Sequence, residues 1–472
     1  MTSRINSIKW PLMLMALWLG SCKMGKNYQR PETAAPAQFR TVTTSDTSSI
    51  ANIEWKQFFT DTTLQGLISR GIANNYDMQV AVKRIDAANA QVKQSRLSQL
   101  PSVTLNVTAQ TTRPSDNSLN GLSTKQFLGT THVEDYNANV GLTWEADIWG
   151  KIRRQKEATM ATYLQTFEAA RAVQTQLVSS IAEGFYSLLM LDAQLDITRK
   201  NLALSDSTLN VTRWQRDAGD VTSLAVEQAL AQQQATAALI PLIEQNIAIQ
   251  ENALSILTGE APGAIVRNTQ LTQYAVPENL PTGLPTAVIS RRPDVRSSEM
   301  ALIAANAQAG VAEAGLYPTL VISASGGLNS YKANNWLNIP GSLFGNLVGG
   351  ITQPIFQRGE LKTKLEIARI QRDETAIQFR QSVLNAVGEV SDAMVKVDKL
   401  KQQQDITAAQ VATLQRAISN AQLLYKSGMA NYLEVITAQG SALQAELSLA
   451  NIQRDRLSSV VELYRSLGGG WK

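Results

Sequence analysis

Two runs in this chain are too long and too uninterrupted for the helices of an ordinary globular domain. Lys151 to Arg216 contains no proline and one glycine, Gly184, and Glu360 to Ser427 contains no proline and one glycine, Gly388. At about 1.5 Å per residue the first run alone extends roughly 100 Å as a helix, more than any bilayer is thick. Gln, Arg, Asp and Lys recur along both runs, which makes them unsuited to lipid. The spacing of Val383, Val387, Val390, Met394 and Val397 predicts a coiled-coil-like seam instead.

Each run is the centre of a duplicated unit. Asp77, Asn89 and Pro101 correspond to Asp294, Asn306 and Pro318 at a constant shift of 217. Gly219, Leu224 and Val226 correspond to Gly428, Leu433 and Val435 at a shift of 209, which places an insertion of about eight residues in the first copy, between Pro101 and Gly219. Within each copy the order is the same. A helical segment, Leu64 to Leu97 or Pro293 to Leu316, ends at Pro101 or Pro318 and gives way to alternation of period two. Val103, Leu105 and Val107 share one face of a strand, with Thr104, Asn106 and Thr108 on the other. Tyr136, Ala138, Val140, Leu142 and Trp144 alternate likewise on the return strand, and Leu320, Ile322 and Ala324 followed by Leu347, Gly349 and Ile351 repeat the pattern. Each copy therefore predicts one long-looped hairpin. After the long helix, a glycine turn at Gly219 or Gly428 reverses the chain into a returning helix, Leu224 to Leu257 (with Pro241 as a kink) or Leu433 to Leu467. The organisation expected is thus 1–21 signal, 22–54 extended arm, 55–260 first repeat, 261–284 linker, 285–467 second repeat and 468–472 tail.

The fold class is mainly α with a small transmembrane β part. Four strands cannot close a barrel, and lipid tolerates no open sheet edge, so copies of the chain must pool strands. Two copies give eight strands and a filled barrel, whereas three give twelve and leave a lumen.

Composition removes other classes. The net charge is +4, with no basic block interleaved with aromatics, so nucleic acid is not an expected partner. One cysteine and one histidine in 472 residues leave no disulfide and no basis for a Cys/His metal site. That cysteine, Cys22, follows a short export-type segment: Arg4 and Lys9, an apolar run from Pro11 to Gly20, then Leu19-Gly20-Ser21-Cys22. The pattern resembles the lipobox of bacterial lipoproteins. It implies cleavage before Cys22, with diacylglycerol on the thiol and an acyl chain such as palmitate on the new amine, an outer-membrane lipid anchor rather than a cofactor. Lys23, rather than aspartate, at the next position suits outer-membrane sorting.

Five further segments carry a resemblance: "WEADIWGKIRR" (Trp144–Arg154), "SRRPDVRSSEMAL" (Ser290–Leu302), "ITQPIFQRGEL" (Ile351–Leu361), "LYKSGMANYLEVITAQ" (Leu424–Gln439) and "LYRSLGGGW" (Leu463–Trp471). In this order they resemble the TolC-like outer-membrane efflux family, and within it the OprM- and NodT-type lipoprotein branch. The resemblance implies a homotrimer with a twelve-stranded barrel and a twelve-helix periplasmic tunnel. It also implies a periplasmic adaptor and an inner-membrane pump of the RND type as partners. It places adaptor contact at the helix tips, Ala218, Gly219, Asp220, Val221, Ser427, Gly428, Met429 and Ala430. It matches Leu433 to a pore-narrowing leucine, Tyr425 to a tyrosine that holds the closed state and Glu434 to an acidic tip residue. Thr437 stands where relatives carry an aspartate, and Gly440 where an arginine follows. A ring of Glu434 carboxylates would favour cations. Trp144 and Trp149 fit interfacial anchors where a strand leaves the bilayer.

No enzyme is expected. His132 lies near Glu134 and Asp135 in a loop-like segment without a partner nucleophile, and no phosphate loop or paired catalytic carboxylates occur. The function expected is a passive duct of a tripartite multidrug efflux system. The alternatives are the duct of a type I protein secretion system or a lipid-anchored coiled-coil scaffold without a pore.

Overall fold

The structure, a computed structural model, describes residues 24–32, 39, 49–277 and 280–472. The signal segment, Cys22, Lys23 and most of the 22–54 arm lie outside the described residues. The main elements are α1 (Thr62–Asn74), α2 (Tyr76–Leu97), β1 (Ser102–Thr112), β2 (Val133–Ala146), α3 (Lys151–Ala218), α4 (Ser223–Leu257), α5 (Pro293–Ala314), β3 (Thr319–Ser330), β4 (Leu343–Thr352), α6 (Glu360–Lys426) and α7 (Tyr432–Ser466). The long helices, return helices and hairpins fall where the sequence places them. None of the described helices is both long and apolar enough to cross a membrane.

One predicted element divides. The run from Leu64 to Leu97 breaks at Asn75, an ordinary residue to the eye. Its Oδ1 accepts the Met78 N–H at 3.1 Å, capping α2, and its Nδ2 donates to the Leu257 carbonyl at 3.0 Å. The chain turns there because a partner 182 residues away holds the amide. Pro241 lies inside α4, which continues through it with one donor fewer.

The chain forms two compact units, and they cut across the repeats rather than between them. One comprises described residues of 1–30 with Ala87–Leu164 and Met300–Ile377; the other comprises described residues of 31–86 with Gln165–Glu299 and Gln378–Lys472.

The first unit contains one antiparallel sheet in the order β1-β2-β3-β4, so the two hairpins join edge to edge through β2 and β3. Its register sorts the side chains. Leu105 lies opposite Val140, Val140 opposite Gly326, and Gly326 opposite Gly345; Val103, Leu142, Ala324 and Leu347 form the next such row. Directly opposed residues share a face, so this face is apolar across all four strands. The other face carries Thr104, Asn106, Asn139, Ser325 and Asn346. Asn139 Nδ2 donates to Asn137 Oδ1 along it at 2.7 Å. Among the described residues, the outer edges of β1 and β4 have no strand beside them. The apolar residues Leu105, Leu347 and Ile351 are 72, 75 and 74% exposed.

The end of the sheet where β2 leaves and β1 and β3 begin explains one of the sequence motifs. After β2, the Asp147 carboxylate accepts the Ile152 and Arg153 N–H groups at 2.9 and 3.1 Å and so caps α3. Trp144 and Trp149 donate their ring N–H groups to the Gln99 and Pro318 carbonyls at 2.9 and 2.7 Å. That leaves both indoles placed beside the strand ends with their polar atom satisfied.

The second unit has the helical core. Ile181, Phe185, Leu188 and Leu189 of α3 are buried with Leu254 of α4, Phe379, Val383 and Val390 of α6, and Val435 and Leu463 of α7. Gly184, the sole glycine of the first long run, is explained by packing: a methyl there would lie 2.8 Å from Leu254 Cδ2. A Cβ added at Gly388 would meet nothing within 4 Å in a single copy. The RRPD motif is a clamp. Buried Arg292 donates to both Asp294 oxygens (3.0 and 2.6 Å), to Glu389 of α6 (2.9 Å) and to the Ser466 carbonyl (3.2 Å). Burial alone would lower the Arg292 pKa and raise that of Asp294; the pair reverses both, so each charge is held more firmly than usual. The 261–284 segment is fastened in the same manner. Arg267 pairs with Asp192 of α3 at 2.6 Å and with Glu251 of α4. Asp61 caps α1 through Leu64 N–H at 2.9 Å and accepts the Thr269 and Tyr274 hydroxyls at 2.6 and 2.7 Å.

Candidate functional site

The two helix reversals lie in the second unit, and both are built alike. Gly219 and Gly428 have φ of +89° and +76°, and a Cβ at either would meet nothing within 4 Å. Asp220 N–H donates to the Gln215 carbonyl at 2.8 Å while Gly219 N–H reaches Arg216 at 2.9 Å; Met429 to Leu424 (2.9 Å) and Gly428 to Tyr425 (3.1 Å) repeat the pattern. This double bond with a left-handed glycine is the Schellman termination, and it demands glycine for its backbone, not for space. Of the eight tip candidates, Ala218, Gly219, Asp220, Ser427, Gly428 and Met429 are exposed, while Val221 and Ala430 are half-buried. Asn431 then starts α7 by accepting the Leu433 and Glu434 N–H groups at 2.9 and 3.2 Å.

The gate candidates separate into two environments. Tyr425 is only 4% exposed, and its hydroxyl lies 3.0 Å from Thr212 Oγ1 of α3, which is fully buried. Thr212 spends its proton on the Thr208 carbonyl at 2.9 Å, so the tyrosine donates and the threonine accepts. Burial raises the Tyr425 pKa above its ordinary value, and the Thr212 contact opposes that rise without cancelling it. Leu433, Glu434 and Thr437 are all exposed, on a face of α7 continued by Ser441 and Gln444; Val435, Gln439 and Ala442 form the buried face. The structure therefore brings Leu433, Glu434 and Thr437 together and sets Tyr425 apart from them. Gly440 sits between the two faces, half-buried.

Sequence reasoning missed what Tyr425 holds on to. Thr198, Asn201, Ser205, Thr208 and Thr212 are all buried on α3 at alternating spacings of three and four, so a polar stripe occupies a helical seam. Its partners come from α6 and α7. Asn201 donates to Glu446 at 2.9 Å, Gln439 donates to Thr208 Oγ1 at 2.9 Å and Gln194 donates to Asn451 at 3.2 Å. The signal was available as a heptad-like row filled with hydroxyls rather than leucines. Exposed Trp214 and Leu423 near the tips were also passed over. Within the same unit, a groove of about 1080 Å³ is lined by Asp192, Asp196, Lys200, Asn201, Arg267, Gln415 and Glu446. Its charges are matched internally, Lys200 with Asp196 at 2.6 Å and Arg267 with Asp192. His132, in the first unit, faces Glu134 at 3.8 Å.

Two long helices, each reversed by a glycine turn into a returning helix, and a four-stranded sheet with one apolar face are also what known proteins share with this chain. The sequence model of the family described as outer membrane efflux protein matches residues 67–260 and 284–469. The chain belongs to that family. The probable efflux pump outer membrane protein TtgC of Pseudomonas putida is 30% identical over 477 residues, covering 98% of this chain and 95% of that protein. The cation efflux system protein CusC of Escherichia coli (strain K12) is 28% identical over 467 residues, covering 97 and 98%. Among solved structures, the outer-membrane channel OprN superposes with a TM-score of 0.87 at 27% identity, covering 95% of this chain and all of that one. This outer membrane efflux protein is thus the outer-membrane channel component of an efflux system, with a TolC-like helical tunnel part and a small barrel part.

Proposed function

We propose that the protein acts as a passive homotrimeric duct: three copies pool twelve strands into one barrel, and a periplasmic adaptor and an RND-type inner-membrane pump supply cargo and energy. The observation that carries this reading is the sheet. Its apolar face suits lipid and its polar face suits water, while both edges stay unpaired. In lipid, such edges are satisfied only by closure with further copies. The exposed face bearing Leu433, Glu434 and Thr437 supports a constriction at the tips, and the exposed turn residues from Ala218 to Asp220 and from Ser427 to Met429 support adaptor docking there. No catalytic step, metal or cofactor enters this reading. Cys22 carries the lipid as a tether. Planar-bilayer recording of the purified protein tests the duct, with native mass spectrometry counting the copies. Discrete conductance from a particle of three chains is expected, whereas a non-conducting single chain would overturn the reading.

A further inference from the structure

The bulkiest fully buried side chain in the described structure is a charged one, Arg154 of α3. Its neighbour Arg153 lies half-exposed and pairs with Asp147 at 3.2 Å. Arg154 instead spends its donors on the start of the chain. Nε donates to the Met24 carbonyl at 3.1 Å, and Nη2 donates to the Gly25 carbonyl at 2.6 Å and to Asn27 Oδ1 at 3.4 Å. Nη1 reaches Glu157 at 2.8 Å. The arm is also held by Asn306 of α5, whose Nδ2 donates to the Lys26 carbonyl at 3.0 Å, and by the Trp149 carbonyl, which accepts Met24 N–H at 3.3 Å. Two glycines make room for this. A methyl on Gly310 would lie 3.1 Å from Arg154 Cδ, and one on Gly25 (φ +80°) would lie 2.8 Å from Gly310 Cα. Sinking a guanidinium among mostly neutral acceptors is costly, and an apolar residue would stabilise the fold at least as well. Its geometry matters more: a planar fork fixes three groups on residues 24–27 at once, which an ammonium cannot do.

We propose that Arg154 is the positioning residue of the N-terminal arm, holding residues 24–27 against the start of α3 and the last turns of α5. This fixes the place at which the lipid on Cys22 enters the membrane. Two peptide units, at most about 7 Å of chain, separate Cys22 from Met24. The anchor then marks a site beside the strand-to-helix corner at Trp149, instead of trailing on a free tether. This inference rests on the reading of Cys22 as acylated.

The test uses the full-length purified protein and trypsin, which can cut the arm after Lys26. Loss of three arm contacts in Arg154→Ala is expected to speed that cut by about tenfold or more, with helix content unchanged. Arg154→Lys recovers at most one contact and should resemble the alanine variant. If Arg154→Ala does not accumulate, Asn306→Ala removes only the Lys26 contact and should speed the cut a few-fold. Equal cutting rates in wild type and these variants would overturn the clamp. Fatty-acid labelling of Cys22 on the same samples separates the two readings: an unlabelled but protected arm keeps the clamp and removes the lipid, while a labelled but unprotected arm does the reverse. A positioning role also predicts that Arg154→Ala lowers the assembled outer-membrane fraction in the Cys22 chain and adds no further loss to Cys22→Ser. An equal loss in both backgrounds would mean that Arg154 merely supports the fold.

Discussion

The pairing of Tyr425 with Thr212 joins residues 213 apart in the chain by a buried hydroxyl contact. A buried hydrogen bond of this kind contributes about 1 kcal/mol net, so if it breaks on opening, as the closed-state role that the resemblance implies for Tyr425 requires, its loss shifts the closed-to-open ratio several-fold. Tyr425→Phe keeps the ring and its packing but drops the donor, so the open fraction of single channels in planar bilayers should rise by about three- to tenfold. Thr212→Val should match it, and the double variant should add little, because the two substitutions remove the same contact. Asp61 supplies a pH dependence elsewhere in the unit. Burial would raise its pKa, but the Thr269 and Tyr274 hydroxyls and the Leu64 and Thr63 N–H groups outweigh that and hold it below 3.8. The group is depressed on folding, so its contribution is complete above the unfolded value and is lost as pH falls through the folded one. Protection of the α1 amides from hydrogen exchange, taken relative to the intrinsic rate at each pH, should therefore fall below about pH 4 in the wild type. Asp61→Asn should show that reduced protection already at neutral pH and little further change on acidification. At this scale, sequence pattern identified Tyr425 by resemblance but had no means to name Thr212. Nor could it tell which of Arg153 and Arg154 is buried, since both follow the same glycine and only the folded arm distinguishes them.

Local signals written in full set the helices and strands of this chain. The ends of α3 and α6 are legible because a left-handed glycine closes each and a polar cap or a glycine opens it. The break at Asn75 is not legible, because its cause is the distant Leu257 carbonyl. The strands are legible from alternation alone, yet the β2–β3 pairing that joins the two repeats is tertiary and leaves no mark on either hairpin. Gly428→Ala imposes a positive φ on a residue with a Cβ and costs about 1–2 kcal/mol of local stability with no clash to relieve. Proteolysis at the second tip should speed up accordingly, while the first tip stays unchanged. The faces of β1 should respond oppositely to charge. Leu105→Lys on the apolar face costs about 2–4 kcal/mol if that face meets the bilayer midplane, and should deplete assembled protein in the outer membrane. Asn106→Lys, one residue on, should assemble normally and alter ion selectivity. If both assemble equally well, the sorting of faces by register has no membrane meaning.

The whole molecule is incomplete by its own hydrogen-bonding rules. A four-stranded sheet with an apolar face and two open edges is stable in neither water nor lipid by itself, and exposed Gly388, where an added Cβ would meet nothing within 4 Å in one copy, marks a helix surface that another chain can approach. In the proposed trimer one chain supplies a third of the tunnel as two similar halves: duplication supplies quasi-equivalent hairpins, and further copies of the chain supply the rest. Cross-linking the edges tests this closure most directly. With Cys22, the only native cysteine, replaced by serine, Asn106→Cys on β1 is combined in turn with cysteines from Phe344 to Gly350 on β4. Oxidation in native outer membranes should yield, for at least one position, covalent species of two and then three chains and none larger, with neither single variant going beyond two. A chain that remains single at every position would mean that β1 of one copy never meets β4 of the next, and the barrel shared between copies would have to be abandoned.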